Sequence, residues 1–209
     1  VLFRPAFAVQ ARELTQSQTI LQNQIEKVGD HLFKQGALII PGQVSIDTEY
    51  YAVKLTSIDS SNTLAQFTTG TILTGGTSGV TAEITKTAAT DGTDPDTIFV
   101  KYSKTGTNNT ADVFSDGETL TGTNSDSVSL SCVVDTTATG SAAAVQAGTY
   151  YINGFFVNND TETLILDKYT NTPSYRVGFT VTESFVTPSD DSSLNDNAAG
   201  SSNANAPGA

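Results

Sequence analysis

The sequence has 209 residues, with 22 acidic and 10 basic side chains, a formal charge of −12 and a pI of about 4.2. So acidic a chain is a poor partner for DNA or RNA, because binding phosphates requires clustered lysine and arginine. The single cysteine and single histidine exclude an internal disulfide framework and the multi-cysteine or histidine-rich metal sites. No apolar run reaches the roughly 18 residues that a membrane span needs.

The first part of the chain predicts an extended arm followed by an amphipathic helix of roughly 20 to 25 residues. From Leu14 onward, apolar side chains recur at steps of three, four or seven residues, and polar side chains fill most other positions. A glutamine occupies the one seam position that lacks an apolar residue, which fixes register at a cost in stability. Gly29 and Gly36 predict the end of the helix. The seam consists of Leu14, Gln18, Leu21, Ile25, Val28 and Leu32.

Three heptads are short for a free-standing coiled coil, so the seam needs further packing. Two interpretations of the helix are open. Either it lies on a sheet of its own domain, or it bundles with copies of itself in a homotrimer.

The composition along the chain predicts four segments. Residues 1–55 hold the arm, the helix and the first strands, and residues 56–147 form an inserted module rich in threonine and glycine. Residues 148–187 hold strands that complete the first domain, and residues 188–209 form a polar linker. The predicted fold class is mainly β with one N-terminal helix (α+β), built from small β-sandwich or barrel-like modules.

The inserted module contains an internal repeat. The pattern Phe-x-x-Gly-x-x-Leu-Thr-Gly occurs at residues 67–75 and again at 114–122, and each copy is followed by an alternating strand. Two copies predict a module of two similar hairpins, with the phenylalanine and leucine in the core and glycine at the turns. Short strands are also predicted at Thr71–Leu73, Val80–Thr85, Ile98–Tyr102, Val113–Phe114 and Val128–Val134.

Further strands are predicted after the insert. Tyr150–Val157 forms either a hairpin about Asn153-Gly154 or a single strand with a glycine bend. Thr163–Leu166 and Tyr175–Thr182 are the last predicted strands.

Three blocks of sequence resemble a known family. The first runs from Phe7-Ala8-Val9-Gln10-Ala11-Arg12-Glu13-Leu14 to the turn Gly29-Asp30 and Phe33-Lys34-Gln35-Gly36. The second is Tyr150–Val157, with its central glycine, and the third lies in residues 194–209 and ends Ala-Pro-Gly-Ala. Together they resemble a domain of unassigned function that is common in phage tail-fibre and baseplate proteins, especially those of cyanophages. Ala6 and Thr15 depart from the family's glycine and asparagine.

This resemblance implies a structural protein of the virion tail. It implies an N-terminal segment that attaches to other tail or baseplate proteins, oligomerises, and continues into a longer chain. The attaching arm would include Phe3, Arg4, Pro5 and Phe7.

The candidate catalytic groups each have a simpler structural explanation. His31 lies near the C-terminal end of the helix, where a protonated histidine would interact favourably with the helix dipole. Cys132 alternates with apolar residues, as a buried residue does. Ser78 lacks the Gly-x-Ser-x-Gly spacing of a nucleophile elbow. Asp91, Asp94 and Asp96 share one turn, but without the spacing of a calcium loop.

Paired aromatic residues are a second candidate feature. Strand alternation places one member of each pair in the core and the other outside, where it packs on a neighbouring subunit or stacks on a glycan. The pairs are Tyr50 and Tyr51, Tyr150 and Tyr151, and Phe155 and Phe156.

The expectation is therefore a non-enzymatic structural protein without a cofactor, metal or nucleic-acid partner. The alternatives are a module that binds a host glycan or receptor and, after it, a tail depolymerase.

Overall fold

A computed structural model describes residues 8–107 and 109–194. These residues contain one helix, α1 (Ala11–Leu32), and ten strands in two sheets, which confirms the predicted mainly β fold with a single N-terminal helix. Two short 3₁₀ turns lie at Leu64–Gln66 and Ser192–Leu194. The strands are β1 (Ala37–Ile40), β2 (Val44–Ile58), β3 (Ile72–Gly75), β4 (Thr81–Ala88), β5 (Thr97–Lys104), β6 (Thr119–Thr123), β7 (Ser129–Val145), β8 (Gly148–Ile152), β9 (Phe155–Asn159) and β10 (Glu162–Asp167).

Six strands close into an antiparallel barrel. β2 pairs with β5, β5 with β4, β4 with β3, β3 with β6 and β6 with β7, and β7 returns to β2. Closure removes the free edges that an open sheet of these strands would expose. The expected boundary between residues 55 and 56 lies inside β2, so the barrel draws one of its strands from the N-terminal segment.

The barrel interior is the hydrophobic core of the molecule. Its strands send alternate side chains inward, and two phenylalanines from the segments before β3 and β6 fill the space between them. The buried residues are Val53, Leu55, Phe67, Leu73, Val80, Ala82, Ile84, Ile98, Val100, Phe114, Leu120, Leu130, Cys132 and Val134.

The two sequence repeats lie side by side in the barrel wall, as the neighbouring strands β3 and β6. β3 and β6 pair so that Thr74 lies opposite Thr121, and the leucine of each repeat lies opposite the final glycine of the other. The two copies are therefore related by a local two-fold axis at the threonine pair. Gly70 and Gly117 both have positive φ, 86° and 76°, and Leu73 and Leu120 are fully buried, as the repeat predicts. The final glycines, Gly75 and Gly122, lie within β3 and β6 and not at turns, because each of them pairs with the leucine of the other repeat.

One buried carboxylate joins the two repeats. Glu118, in the second repeat, accepts hydrogen bonds from the Thr77 and Ser78 backbone N–H groups at 3.0 and 2.9 Å and from the Ser78 hydroxyl at 2.9 Å. The Ser115 N–H donates a fourth at 2.7 Å. Burial raises the pKa of a carboxyl group, but these hydrogen bonds outweigh it and hold the pKa of Glu118 below its usual value. The loop after β3 is thus held by an acid from the other repeat.

A segment after the barrel strands crosses the outside of the barrel. β10 pairs with the end of β7, and the Lys86 ammonium donates to the Thr163 carbonyl at 2.5 Å. The Tyr169 hydroxyl lies 2.8 Å from that of Thr97. Gly140 allows this crossing, because a Cβ there would lie 2.5 Å from the Lys168 carbonyl oxygen.

Three strands form a separate small sheet in the order β1-β8-β9. Asn153 and Gly154 have φ values of 48° and 87°, the left-handed pair that a two-residue type I′ turn requires. The segment Tyr150–Val157 is therefore a hairpin and not one bent strand.

Two predicted strands are absent from the described residues. Val113 and Phe114 lie in a loop, because Phe114 turns into the core as part of the repeat. Tyr175–Thr182 alternates like a strand but belongs to none, and its apolar side chains are exposed. Alternation sets which side chains share a face, but a strand also needs a partner edge to pair with. The chain divides into a compact unit up to Tyr175 and a second from Arg176.

We expect Glu118→Gln to destabilise the barrel by about 1 to 3 kcal/mol, because an amide NH₂ would face backbone donors in a buried site. The ionised carboxylate stabilises the fold above the ordinary glutamate pKa, and that contribution is lost as pH falls through the lowered pKa of the folded state. Thermal unfolding from pH 7 to pH 3 measures both effects.

The control is Glu83→Gln, at an exposed position on β4. Its unfolding curve should stay close to that of the parent chain. Equal losses in the two variants would contradict a structural role for the Glu118 hydrogen bonds.

Candidate oligomer interface

Local signals set both ends of α1. The backbone N–H of Gln10 donates to the Glu13 carboxylate at 2.9 Å, as in a capping box, and this acid also favours the helix N-terminus. At the other end the Phe33 N–H donates to the Gly29 carbonyl at 2.7 Å, and Gly36 has a φ of 77° in the turn that follows. Gly36 acts as predicted, whereas Gly29 lies inside the helix, so its predicted role in ending the helix is wrong.

Gly29 is instead the point where α1 packs on the small sheet. A Cβ at this position would lie 2.5 to 2.6 Å from ring and hydroxyl atoms of Tyr151, which is fully buried. The Tyr151 hydroxyl lies 3.0 Å from both the Glu26 carbonyl and the Asp30 carboxylate. Burial and the Asp30 acceptor raise the pKa of Tyr151, so the phenol remains a donor at neutral pH.

Aromatic rings extend this contact. The Phe33 ring packs at 5.7 Å from Tyr151 and at 6.1 Å from Phe156, and the latter two rings are 5.6 Å apart. Gly154, in the β8–β9 turn, lies against the Glu26 side chain. The helix therefore contacts its own sheet through Glu26, Gly29 and Asp30.

The seam lies on another face of the helix. Its five apolar side chains are between 44% and 66% exposed, with Leu21 at 62% and Leu32 at 66%, and Gln18 is exposed as well. Large apolar side chains arranged in a heptad stripe are normally covered by another helix. Within the described residues no element covers this stripe.

A second exposed apolar patch lies on the outer part of the large sheet. Ile46 on β2 and Leu164 on β10 both pair with Ala143 of β7, so all three side chains share one face. Val44, two residues before Ile46 and opposite Val145, continues the row on the same face. Val44 and Ile46 are 66% and 69% exposed.

The candidate catalytic groups do not assemble into a site. His31 is exposed in the last turn of α1. Cys132 is buried in the barrel, where desolvation raises the pKa of its thiol to about 12 and leaves it unreactive. The Ser78 hydroxyl is buried and donates to Glu118.

The aspartate turn holds an ammonium group. The Lys168 Nζ lies 2.8 Å from an Asp91 oxygen and 3.0 Å from an Asp94 oxygen, and these carboxylates raise its pKa. Hydrogen bonds from the Asp94 backbone N–H and from Lys168 lower the pKa of Asp91. Asp96 accepts from the Thr90 backbone N–H at 2.8 Å. Among the residues that the structure describes, no group of three or more metal-ligating side chains converges.

The aromatic pairs follow the predicted alternation only in part. Tyr151 is buried and its neighbour Tyr150 is half-buried, as alternation predicts. The predicted division fails in the hairpin, because Phe155 and Phe156 are both about half exposed where the small sheet is open to solvent. It also fails for the first pair, whose members are both half-buried. Tyr50 stacks on Phe99 at 5.1 Å, and Tyr51 packs against the barrel core.

Two expected features lie outside the described residues. The arm residues Phe3, Arg4, Pro5 and Phe7 precede the described part, and most of the third resembling block, residues 195–209, follows it.

Comparison with known proteins returns no relative. No protein family, no curated protein and no solved structure matches the chain. No helix in the described ranges is long and apolar enough to cross a membrane.

Sequence reasoning missed the docking role of Gly29 and the buried role of Glu118. A glycine in the last turn of a helix resembles a stop signal, and only the position of Tyr151 shows otherwise. Glu118 occupies the same repeat position as Thr71, and only the structure shows that both positions are buried.

We expect Gly29→Ala to destabilise the chain by about 1 to 3 kcal/mol, although alanine is the better helix former by about 1 kcal/mol. The new methyl group would collide with the Tyr151 ring, which is fully buried and whose hydroxyl contacts the Glu26 carbonyl and the Asp30 carboxylate. Chemical denaturation followed by circular dichroism measures the change.

The same substitution at Gly178, where a Cβ meets nothing within 4 Å, is the matched control and should be nearly neutral. A Gly29→Ala variant that is as stable as the parent would show that the helix does not pack on Tyr151.

Proposed function

We propose that this chain is a non-enzymatic structural protein of a phage tail, from a tail fibre or a baseplate-associated part. It forms a homotrimer through α1 and attaches to neighbouring tail proteins through the N-terminal arm. The observation that carries the proposal is the exposed heptad seam on a helix that is already anchored to its own sheet by a different face. The resemblance of the three sequence blocks supplies the link to phage tails.

Burial of the exposed seam in an interface would lower the free energy and so favours assembly. Covering a half-exposed leucine or isoleucine contributes about 1 kcal/mol. Five such side chains on each of three chains therefore provide a substantial driving force. Anchoring of the helix also reduces the ordering cost of association, because its orientation is already set.

The seam residues carry both two-stranded and higher-order preferences. With Leu14 at a d position, Leu21 and Val28 also occupy d, and Ile25 and Leu32 occupy a. Leucine at d with isoleucine at a favours two helices, whereas a β-branched residue at d with leucine at a favours more than two, so the number of helices depends on contacts outside the seam. Gln18 is at an a position, where a polar side chain specifies register.

Packing outside the helix supports the short seam. About three heptads are marginal alone, so a trimer needs further contacts. The exposed patch of Val44, Ile46 and Leu164 offers such a contact, because obligate interfaces bury apolar surface of this kind. The chain's −12 charge opposes association, so the trimer should strengthen as salt screens the repulsion.

The test is the mass of the full chain in solution, measured by light scattering. We expect three times the 21.9 kDa chain mass for the parent protein and a monomer for the Leu21→Asp, Ile25→Asp double variant. Burying these charges in a seam would cost several kcal/mol. The β circular dichroism signal should be unchanged, because the barrel core does not contact the seam.

The control variant is Gln16→Asp with Ile20→Asp, which places two acids on the same helix but off the seam. It should remain trimeric. A monomeric parent chain, or equal dissociation of the two variants, would refute the seam as an interface. Mass spectrometry of purified virions tests the tail assignment, since absence of the chain's peptides from the tail fraction would contradict it.

A further inference from the structure

Residues 176–182 have the side-chain pattern of a strand without the pairing of one. The even positions hold arginine, glycine and two threonines, and the odd positions hold Val177, Phe179 and Val181. These three apolar side chains are 48%, 56% and 51% exposed. The segment belongs to neither sheet of the described chain. Strict alternation is typical of a strand with one buried face, so the segment has the chemistry of a strand but lacks an edge to pair with.

The small sheet offers an edge of matching character. β9 pairs with β8 on one side and has no second neighbour among the described strands. It contains no charged residue and no proline, and its pairing with β8 has no register shift. Natural proteins use such features to protect an edge strand. The edge strands β1 and β10 each have a register shift, and β10 also carries two acids. β9 is therefore the edge most suited to receive a strand.

The backbone groups of β9 are directed for such an addition. Ile152 and Phe155 flank the two-residue turn and form the first pair of the hairpin. That pair exchanges hydrogen bonds, and bonded and non-bonded pairs alternate from there. Phe156 and Asn158 consequently direct their N–H and C=O groups away from β8. A strand on this side would satisfy them.

The small sheet also has an open apolar face. Leu38 pairs with Tyr150 and Tyr150 with Val157, so the three side chains form a row across the sheet. This row lies on the opposite face from Tyr151, which contacts the helix. Leu38 and Val157 are 38% and 43% exposed. A further strand with an apolar face would extend the row and cover part of it.

Charge selects the direction and the register of the added strand. Arg176 begins the segment, and Asp160 follows the last residue of β9. Both side chains are exposed, and the ion pairs of the described residues include neither of them. An antiparallel strand brings the arginine opposite this aspartate, whereas a parallel strand would bring it to the uncharged turn at Asn153 and Gly154.

This register also matches the apolar faces. With Arg176 opposite Asp160, antiparallel counting places Phe179 opposite Val157 and Val181 opposite Phe155. The apolar side chains of the segment then continue the open row of the small sheet. The glycine and threonine between them fall on the helix side, opposite Asn158 and Phe156. One register therefore satisfies charge, alternation and backbone pairing together.

We propose that residues 176–182 of one chain add as an antiparallel strand to the β9 edge of a second copy of the chain. The partner is a copy because the segment and the edge belong to the same sequence and do not pair within one chain. The contact rests on the proposed trimer, in which each chain gives its segment to the next. Such head-to-tail contacts close into a ring that leaves no β9 edge uncovered.

The experiment is disulfide linking in the full chain. The Val157→Cys, Phe179→Cys variant is oxidised, and the masses of its covalent products are measured under denaturing, non-reducing conditions. We expect products of two and three chains, because paired Cα atoms in neighbouring antiparallel strands are about 4.5 Å apart, within reach of a disulfide. The native Cys132 is buried and does not compete.

The matched control is Val157→Cys with Thr180→Cys, whose cysteines point to opposite faces of the added strand. It should give at least about fivefold less linked product, because diverging Cβ vectors cannot be bridged. Equal linking in the two variants overturns the proposal. A disulfide that forms within single chains also overturns it, since the strand would then add to its own sheet.

A second pair guards against a defect of the first variant. Phe155→Cys with Val181→Cys lies in the same register and should link chains in the same way, with the β circular dichroism signal unchanged. Absence of linked chains in both pairs overturns the proposal.

The solution mass of the parent separates this test from that of the seam. A trimeric parent whose cysteine pairs do not link overturns the strand addition and leaves the seam in place. Linked chains from a parent that scatters as a monomer support the strand addition and refute the seam. A monomeric parent without linked chains overturns both.

Discussion

The antiparallel pairing of β2 with β7 is the constraint on which the rest of the structure depends. The two longest strands pair from Val44 opposite Val145 to Ile58 opposite Cys132. One end of this ladder forms part of the barrel, and the other projects beyond it and carries β10. β1 and β8 adjoin the projecting end in the chain, so the same ladder brings the small sheet and the helix to it. Register shifts interrupt the ladder at three places, where the paired strands can bend between the barrel wall and the projecting part.

The position of the helix follows from a few small contacts. A glycine lets α1 approach Tyr151, and the tyrosine hydroxyl bonds back to the helix. This contact uses a mostly polar face of the helix, so the apolar seam is left facing outward. Anchoring one face while exposing another is how a single chain can prepare a surface for copies of itself. The assembly proposal rests on this division between the two faces.

Much of the local structure could be predicted from the sequence, and the misses share one cause. The helix, the glycine turns of the repeat and the buried leucines follow from periodicity and turn chemistry, which act over a few residues. Tyr175–Thr182 has the alternation of a strand but lies in none, because pairing needs a second strand edge that alternation does not supply. The candidate seam was predictable for the same local reason, whereas the contact between α1 and the small sheet was not. Gly29 and Tyr151 lie far apart in the chain and meet only because β8 packs against the helix.

The sequence by itself determined the β-rich composition, the one amphipathic helix, the repeat and its core residues, and the acidic charge. These are properties of composition or of short-range spacing, which the chain carries whether or not it is folded. Only the tertiary structure decided that the repeats pair about a two-fold axis, that Glu118 holds the opposite loop and that the helix turns its seam outward. The Tyr151 hydroxyl and the Glu26 carbonyl are 125 positions apart in the chain. Contacts across such separations depend on how every intervening element packs, and no local pattern encodes them.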